Sequence, residues 1–461
     1  MEAIPWSMLQ LQTKMLSLYS TVDMLSITAA LLALAIAVTS VYLRQRLLTG
    51  RKASSPESVI TAPTFDPNKD REDGEWTPVD FTYPPITPCP LELSEIKPIA
   101  YRPFRPGEYH VTMGIRNMVW DEWIELDDEY EMFQRLRAHR IEIRGKDIIR
   151  VLPETPNLVR SGDDASIELL HELVEYLPRR YPKVFEVIRY PRDTVTPHSG
   201  WDGLPQIKTI KVLPLGTSYD IPRDIYDGEN AAVKALEIAS LLIQEDLALM
   251  IEGQDGQYYF QAGAILIPGT WRIQDKIGMP LEQIHITGNV PRYKEKLHTG
   301  MARFFKRMPV DKPVARNNYL FQPVPLKDDV DPNELGWAES IHGPEATFPN
   351  TRKKAMENPT PTPSSIFLRV ERQTLRRLPR SGAVVFTIRT YQTSVEKLGR
   401  EPGVVRRLAS ALRGWGDDVG EYKAKWRGGW WDVLLDYLDN SHADMVKKGI
   451  EVPESAEKYP F

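Results

Sequence analysis

An α+β fold with an antiparallel sheet, set behind one membrane-spanning helix and a proline-rich linker, is what this 461-residue chain predicts. Three features carry the expectation. Met24 to Leu43 is an uncharged apolar run, hairpin-like strand pairs fall near 247–267 and 366–391, and helix-period segments stand apart from those hairpins. Hairpins segregated from helices call for an antiparallel sheet with flanking helices, not a doubly wound parallel one.

The run from Met24 to Leu43 holds twenty residues. At a helical rise of about 1.5 Å each they reach about 30 Å, the thickness of a bilayer core. Arg44, Arg46, Arg51 and Lys52 follow it directly, whereas only Lys14 precedes it. The positive-inside bias then places the N-terminal segment 1–23 on the luminal or outer side and the C-terminal domain in the cytosol, with the endoplasmic reticulum as the expected membrane. A cleaved signal peptide fits poorly, because the run is long, begins late and lacks a basic region ahead of it.

The single cysteine, Cys89, agrees with a reducing compartment. It also excludes an intrachain disulfide, a Cys-x-x-Cys redox pair and any multi-cysteine zinc or iron–sulfur site. No usable glycosylation sequon is present, since Asn358 is followed by Pro359. With 58 basic against 63 acidic side chains and no basic stripe, nucleic acid is a disfavoured partner.

Residues 44–96 are rich in Pro, Ser, Asp and Thr and read as a flexible linker to a domain spanning 97–461. Within it, Asp163 to Leu177 and Asn230 to Gln244 carry apolar residues at helical spacing. Leu247 to Glu252 and Gln257 to Ile267 flank a Gly-Gln-Asp-Gly turn as a hairpin. Pro280 opens a short helix that ends near His285, and Gly288-Asn289 turns the chain into an amphipathic segment, Tyr293 to Met308. Residues 327–365 form a polar, proline-rich surface loop. A second hairpin runs from Ile366 to Leu375, turns at Pro379 to Gly382, and returns through Ala383 to Tyr391. Helices over Gly403 to Leu412 and Trp430 to Leu438 close the chain.

Several motifs are absent: a Walker-type loop, a Gly-x-Gly-x-x-Gly helix opening and a Gly-x-Ser-x-Gly elbow. His171-Glu172 begins a zincin-like pattern, but Glu175 stands where the second His is needed. Asp329-Val330-Asp331 matches the Asp-x-Asp of metal-dependent glycosyltransferases, yet it lies among other acids in an aperiodic loop and reads as solvated charge. A luminal glycosyltransferase would also need the opposite membrane orientation.

Along the second hairpin Arg369, Glu371 and Gln373 share one strand face. The simplest pairing sets them opposite Thr387, Arg389 and Tyr391 as a polar patch. Such patches are ordinarily solvated outer faces of antiparallel sheets. As a pocket wall, this one would offer a carboxylate to a cationic amine, and Arg and Tyr donors to a bound oxygen species. A buried Glu flanked by two Arg stays ionised at neutral pH.

Several phrases, in shared order from about residue 100 to about 425, carry a family likeness. They are Met113-Gly114-Ile115-Arg116 with Trp123 to Asp127, Tyr176 to Pro182, Gln244 to Leu247, Pro268 to Trp271, Lys276 to Leu281 leading to Ile284-His285, and Leu368 to Pro379 with Phe386 to Tyr391. Together they resemble the alpha-subunit-like family of heme-dependent oxidative N-demethylases. The resemblance implies a PAS-like sheet, heme b, dioxygen and an electron-donating reductase carrying flavin or iron–sulfur. A small N-methyl amine would be oxidised to a carbinolamine that loses formaldehyde. It implies His285 as the axial ligand of the iron, with His298 as the alternative, and Arg292 and Arg316 as partners of the heme propionates. Glu371, Arg389, Tyr391 and Arg369 would be the catalytic set, and Ala262-Gly263-Ala264 would let a flat macrocycle approach the sheet. Two departures stand out: Thr287-Gly288-Asn289 lengthens the His285-to-Pro291 spacing, and Tyr319 occupies a position where the family pattern has Trp. A non-catalytic PAS-type heme sensor is the alternative reading; it predicts heme without turnover.

Overall fold

The computed structural model describes residues 67–267, 271–323, 361–426 and 428–450. The expected anchor at 24–43, the first part of the linker and the Asp329-Val330-Asp331 motif lie outside these residues. No helix among the described residues is long and apolar enough to cross a membrane.

In chain order the principal elements are β1 (Arg116–Asn117), α1 (Tyr130–Arg144), β2 (Ile149–Val151), α2 (Asp163–Arg180), β3 (Phe185–Arg189), β4 (Ile207–Val212), β5 (Thr217–Asp220), α3 (Ala231–Leu242), β6 (Asp246–Glu252) and β7 (Tyr258–Ala264). Then follow α4 (Leu281–Thr287), α5 (His298–Arg307), β8 (Val314–Pro323), β9 (Ile366–Arg377), β10 (Val384–Ser394), α6 (Val395–Leu398), α7 (Val404–Arg413), α8 (Asp417–Tyr422) and α9 (Trp430–Lys447). The fold is α+β, as the segregated pattern predicts. A seven-stranded sheet runs β1-β8-β9-β10-β6-β7-β2, every neighbouring pair antiparallel, and a small sheet β3-β4-β5 stands apart.

Both faces of the large sheet are covered, which is why β6 and β7 are buried at every position. Leu247, Leu249, Ile251 and Val385 pack with α2 and α3 through Leu170, Leu173, Leu236 and Ala239. Further along that face Tyr319, Phe321, Leu368, Val370 and Tyr391 meet α7 and α9 through Leu408, Leu412, Leu434 and Leu438. On the other face Ala248, Met250, Phe260, Leu375 and Val384 pack with Tyr293, Leu297, Met301 and Phe305. That apolar layer covers only half of its face. The remaining rows are polar, and they form the site below.

Two stretches depart from expectation. Residues 67–96, read from composition as linker, lie against the folded domain: Trp76 Nε1 donates to the Pro379 carbonyl at 2.9 Å, and the Cys89 N–H to the Arg180 carbonyl at 2.7 Å. Tyr83 stacks on Trp201 at 3.6 Å. Aromatic anchors in an irregular strap leave no periodicity for a sequence pattern to catch. Helix α1 escaped for another reason: its buried positions include Arg137 and Arg140 beside Tyr130 and Phe133. Guanidiniums interrupt the apolar stripe that marks an amphipathic helix. Arg137 is held by Asp246 at 2.9 Å and by the Ser240 and Glu245 carbonyls.

Candidate active site

Pro280 precedes α4 with φ −71° and ψ 156°, so its missing N–H falls at a helix start, where that donor has no intrahelical partner. One turn later His285 sits with Nδ1 2.7 Å from the Leu281 carbonyl, the oxygen four residues back. That contact sets the tautomer: Nδ1–H donates and Nε2 carries the lone pair. Among the described residues Nε2 has no hydrogen-bond partner. The Tyr293 ring stacks on the imidazole at 4.9 Å and 12°. Burial pushes the imidazole pKa down to about 4; the Leu281 carbonyl opposes the fall, and Arg316 and Lys276 add to it. The ring is therefore neutral at pH 7. His298 differs on every count: it is 41% exposed and lies 3.5 Å from Glu282 on the surface.

Opposite these helices, strand register decides which side chains share the face. Arg316 pairs across with Gln373, and Asn318 with Glu371, which in turn pairs with Thr390. Side chains directly opposite in an antiparallel pair share a face. Glu371 thus stands with Arg369, Gln373, Arg316, Asn318 and Thr390. The Arg369 Nη2 donates to the Ile267 carbonyl at 2.7 Å and to Thr390 Oγ1 at 2.9 Å, and its Nε lies 3.5 Å from Glu371. Gln373 Nε2 donates to the other Glu371 oxygen at 3.1 Å. The Arg316 Nε and Gln373 Oε1 are buried without hydrogen-bond partners.

The expected patch joining Glu371 to Arg389 and Tyr391 does not form. Arg389 pairs with Arg372 and Tyr391 with Val370, one residue out of step, so both point to the opposite face. There Arg389 Nη2 donates to Asp127 at 2.6 Å and Tyr391 to Glu125 at 2.5 Å. Tyr101 donates to the second Glu125 oxygen at 2.6 Å, and Gln244 Nε2 to Asp127 at 2.9 Å. Five of the six residues in this knot come from the phrases Trp123 to Asp127, Gln244 to Leu247 and Phe386 to Tyr391, and Arg372, within ion-pair distance of Glu125, adds a sixth phrase-bearing residue. The knot is buried and lies on the sheet face opposite the one that carries Glu371.

Arg292 is also displaced from its expected role: its Nε pairs with Asp418 at 2.7 Å, and its side chain is half exposed. Ala262-Gly263-Ala264 serves internal packing, since a Cβ at Gly263 would strike the Phe260 ring and the Leu247 carbonyl. One site residue gave no sequence signal. Lys423, just past α8, is 5% exposed, hydrogen-bonds the Tyr319 carbonyl, and lies over the rings of Tyr319, Trp415 and Tyr109 at 4.7, 5.6 and 5.7 Å. Burial pushes its ammonium down to about 7, with Glu371 opposing the fall and Arg316 adding to it. Nothing in a Glu-Tyr-Lys-Ala-Lys-Trp stretch distinguishes this lysine from a surface one.

Residues 114–435, well over half of the chain, match the family model described as "Haem-dependent oxidative N-demethylase, alpha subunit-like". The chain belongs to that family. Family membership makes it a heme-dependent oxidoreductase in the general sense and removes the ground for a glycosyltransferase. The residues of this family member fit the cofactor on their own chemistry. A neutral imidazole with Nδ1 tied to a main-chain carbonyl and Nε2 unpartnered is a standard arrangement for an iron ligand. The Arg316 guanidinium on the facing strand, whose buried Nε has no hydrogen-bond partner among the described residues, suits a propionate.

Proposed function

We propose that this chain oxidatively demethylates a small amine, with heme b bound at His285, dioxygen as oxidant and an external reductase as electron donor. The carrying observation is the His285 imidazole, held neutral and with Nε2 free, beside a buried sheet face whose polar rows centre on one carboxylate, Glu371. The five strands β7-β6-β10-β9-β8, numbered in chain order, run 2-1-5-4-3 with α4 and α5 inserted between the second and third. That order supports the PAS-like reading of the sheet.

Bound heme would supply the redox-active iron at which dioxygen is activated. The chain's own groups do the rest. The Leu281 carbonyl fixes the His285 ring and raises its basicity as a ligand. Arg316 would hold a propionate. Glu371, oriented by Arg369 and Gln373, would hold the substrate as its ammonium and take up that proton when the free amine reacts. Overall, one oxygen atom enters an N-methyl C–H bond to give a carbinolamine. The other leaves as water, with two electrons from the donor and two protons. Cleavage of the carbinolamine C–N bond releases formaldehyde and the demethylated amine.

We propose too that residues 24–43 anchor the domain on the cytosolic side of a membrane, beside a membrane-bound reductase; the apolar run and the arginines after it support this. The decisive experiment for the chemistry expresses the full chain with heme supply, records its absorption spectrum, and assays formaldehyde from secondary and tertiary methylamines with a reductase. A Soret band with formaldehyde release is expected. A colourless protein would sink the proposal, and a heme-bound protein that releases no formaldehyde would make the chain a heme-binding module instead.

A further inference from the structure

The polar rows of the site face hold more basic groups than acidic ones among the described residues. Arg316, Arg369 and Lys423 all feel Glu371, and Arg369 feels Asp246 as well. Arg369 is the cation beside Glu371, at 3.5 Å. Among the described residues neither Arg316 nor Lys423 has an acid at ion-pair distance.

Lys423 is buried and Arg316 half-buried with a buried Nε, and among the described residues each has little to bind. The Arg316 Nε has no partner. Among the described residues the Lys423 ammonium meets the Tyr319 carbonyl, the Asn318 Oδ1 at 3.4 Å and the faces of three rings. A buried charge of this kind is costly unless it loses its proton or gains a counter-ion. The two are neighbours in space. Arg316 and Asn318 project from the same face of β8, two residues apart, and Lys423 reaches Asn318. Glu371 lies directly across from Asn318, so the carboxylate and the cation pair flank Asn318 from two sides.

We infer that Arg316 and Lys423 form a clamp for a carboxylate, making Lys423 a ligand-binding residue of this site. The inference rests on the proposed function, and it adds a chemical class to what the site takes. Two sources could present that carboxylate: a propionate of the heme, or an amine substrate that is itself a carboxylic acid. In the second case an N-methyl amino acid would span the wall, ammonium on Glu371 and carboxylate on the clamp. Charge-assisted pairing to a desolvated guanidinium and ammonium is strong enough to sort ligands.

The full chain is titrated in two arms, comparing wild type, Lys423→Met, Lys423→Arg and Arg316→Gln. In the first arm heme b is added to heme-free protein and followed by absorption. In the second, protein is titrated calorimetrically with N-methylglycine and with N-methylethylamine, which lacks the carboxylate. Lys423→Met should weaken one carboxylate ligand at least about tenfold, with Lys423→Arg close to wild type. Loss in the heme arm assigns the clamp to a propionate. Loss for N-methylglycine but not N-methylethylamine, with heme uptake intact, assigns it to the substrate. Unchanged affinity in both arms overturns the clamp, and where Lys423→Met does not fold, Arg316→Gln decides by the same criterion. Should wild type take up no heme, the proposed function falls, while N-methylglycine binding to the heme-free chain still tests the clamp.

Discussion

Arg389 and Asp127, 262 residues apart in the chain, meet through a 2.6 Å hydrogen-bonded ion pair on the sheet face turned away from Glu371. Both side chains are almost wholly buried, so neither charge can fall back on water if its partner is removed. Asp127→Ala should therefore cost about 3–5 kcal/mol of stability, seen as a lower urea midpoint. A loss below about 1 kcal/mol would show that this knot does not hold the α1 to α3 layer against the sheet.

Heme retention should separate the two histidines. His285→Ala is expected to remove the Soret band or shift it to that of a protein lacking the axial imidazole, because its Nε2 is the free one. His298→Ala should leave the spectrum unchanged, since His298 answers Glu282 on the surface. The reverse result would transfer the iron to His298.

Glu371→Gln keeps the size of the side chain but removes the charge and one of the two oxygens that accept from Arg369 and Gln373. Heme uptake should survive, while KM for the amine rises about tenfold or more and kcat changes less. An unaltered KM would place the ammonium elsewhere.

The strap over the domain hangs on a glycine. Gly382 has φ +74°, and a Cβ there would come within 2.3 Å of the Trp76 ring. Gly382→Ala should strain the turn and lift Trp76 off Arg377 and the Pro379 carbonyl. Limited proteolysis is expected to cut within 67–96 faster in the variant, as exposed segments are cut first. Equal cutting rates would mean that the strap is held from elsewhere.

Glu245 links stability to pH. It is fully buried, and burial raises its pKa from 4.5 to about 7, with Arg389 pulling the other way. Between about 4.5 and 7 the folded chain holds this proton and the unfolded chain has lost it. Stability from this group is thus greatest at the acid end and declines as pH rises through that window. Glu245→Gln, which cannot titrate, should flatten the slope of unfolding free energy between pH 5 and 7, and a slope identical to wild type would contradict the raised pKa.

Much of the site was legible because its local signals are strong. Pro280 at a helix start and a Gly-Asn turn bracket the His285 helix at α4, and period-two alternation marks β9 and β10. The polar strand β8 was not, since Arg-Asn-Asn in its middle reads as loop until its partners on β9 are known.

Composition and periodicity determined the α+β class, both hairpins and the short helix bearing His285, while the resemblance of several phrases pointed to the family whose model matches residues 114–435. Only the tertiary structure decided which polar side chains share a sheet face. Both faces of the sheet are buried, so alternation cannot say which face looks inward, and a register differing by one residue sends Arg389 and Tyr391 to the far side from Glu371. Lys423 arrives from a distant helix end, and proximity of that kind is written in no local pattern.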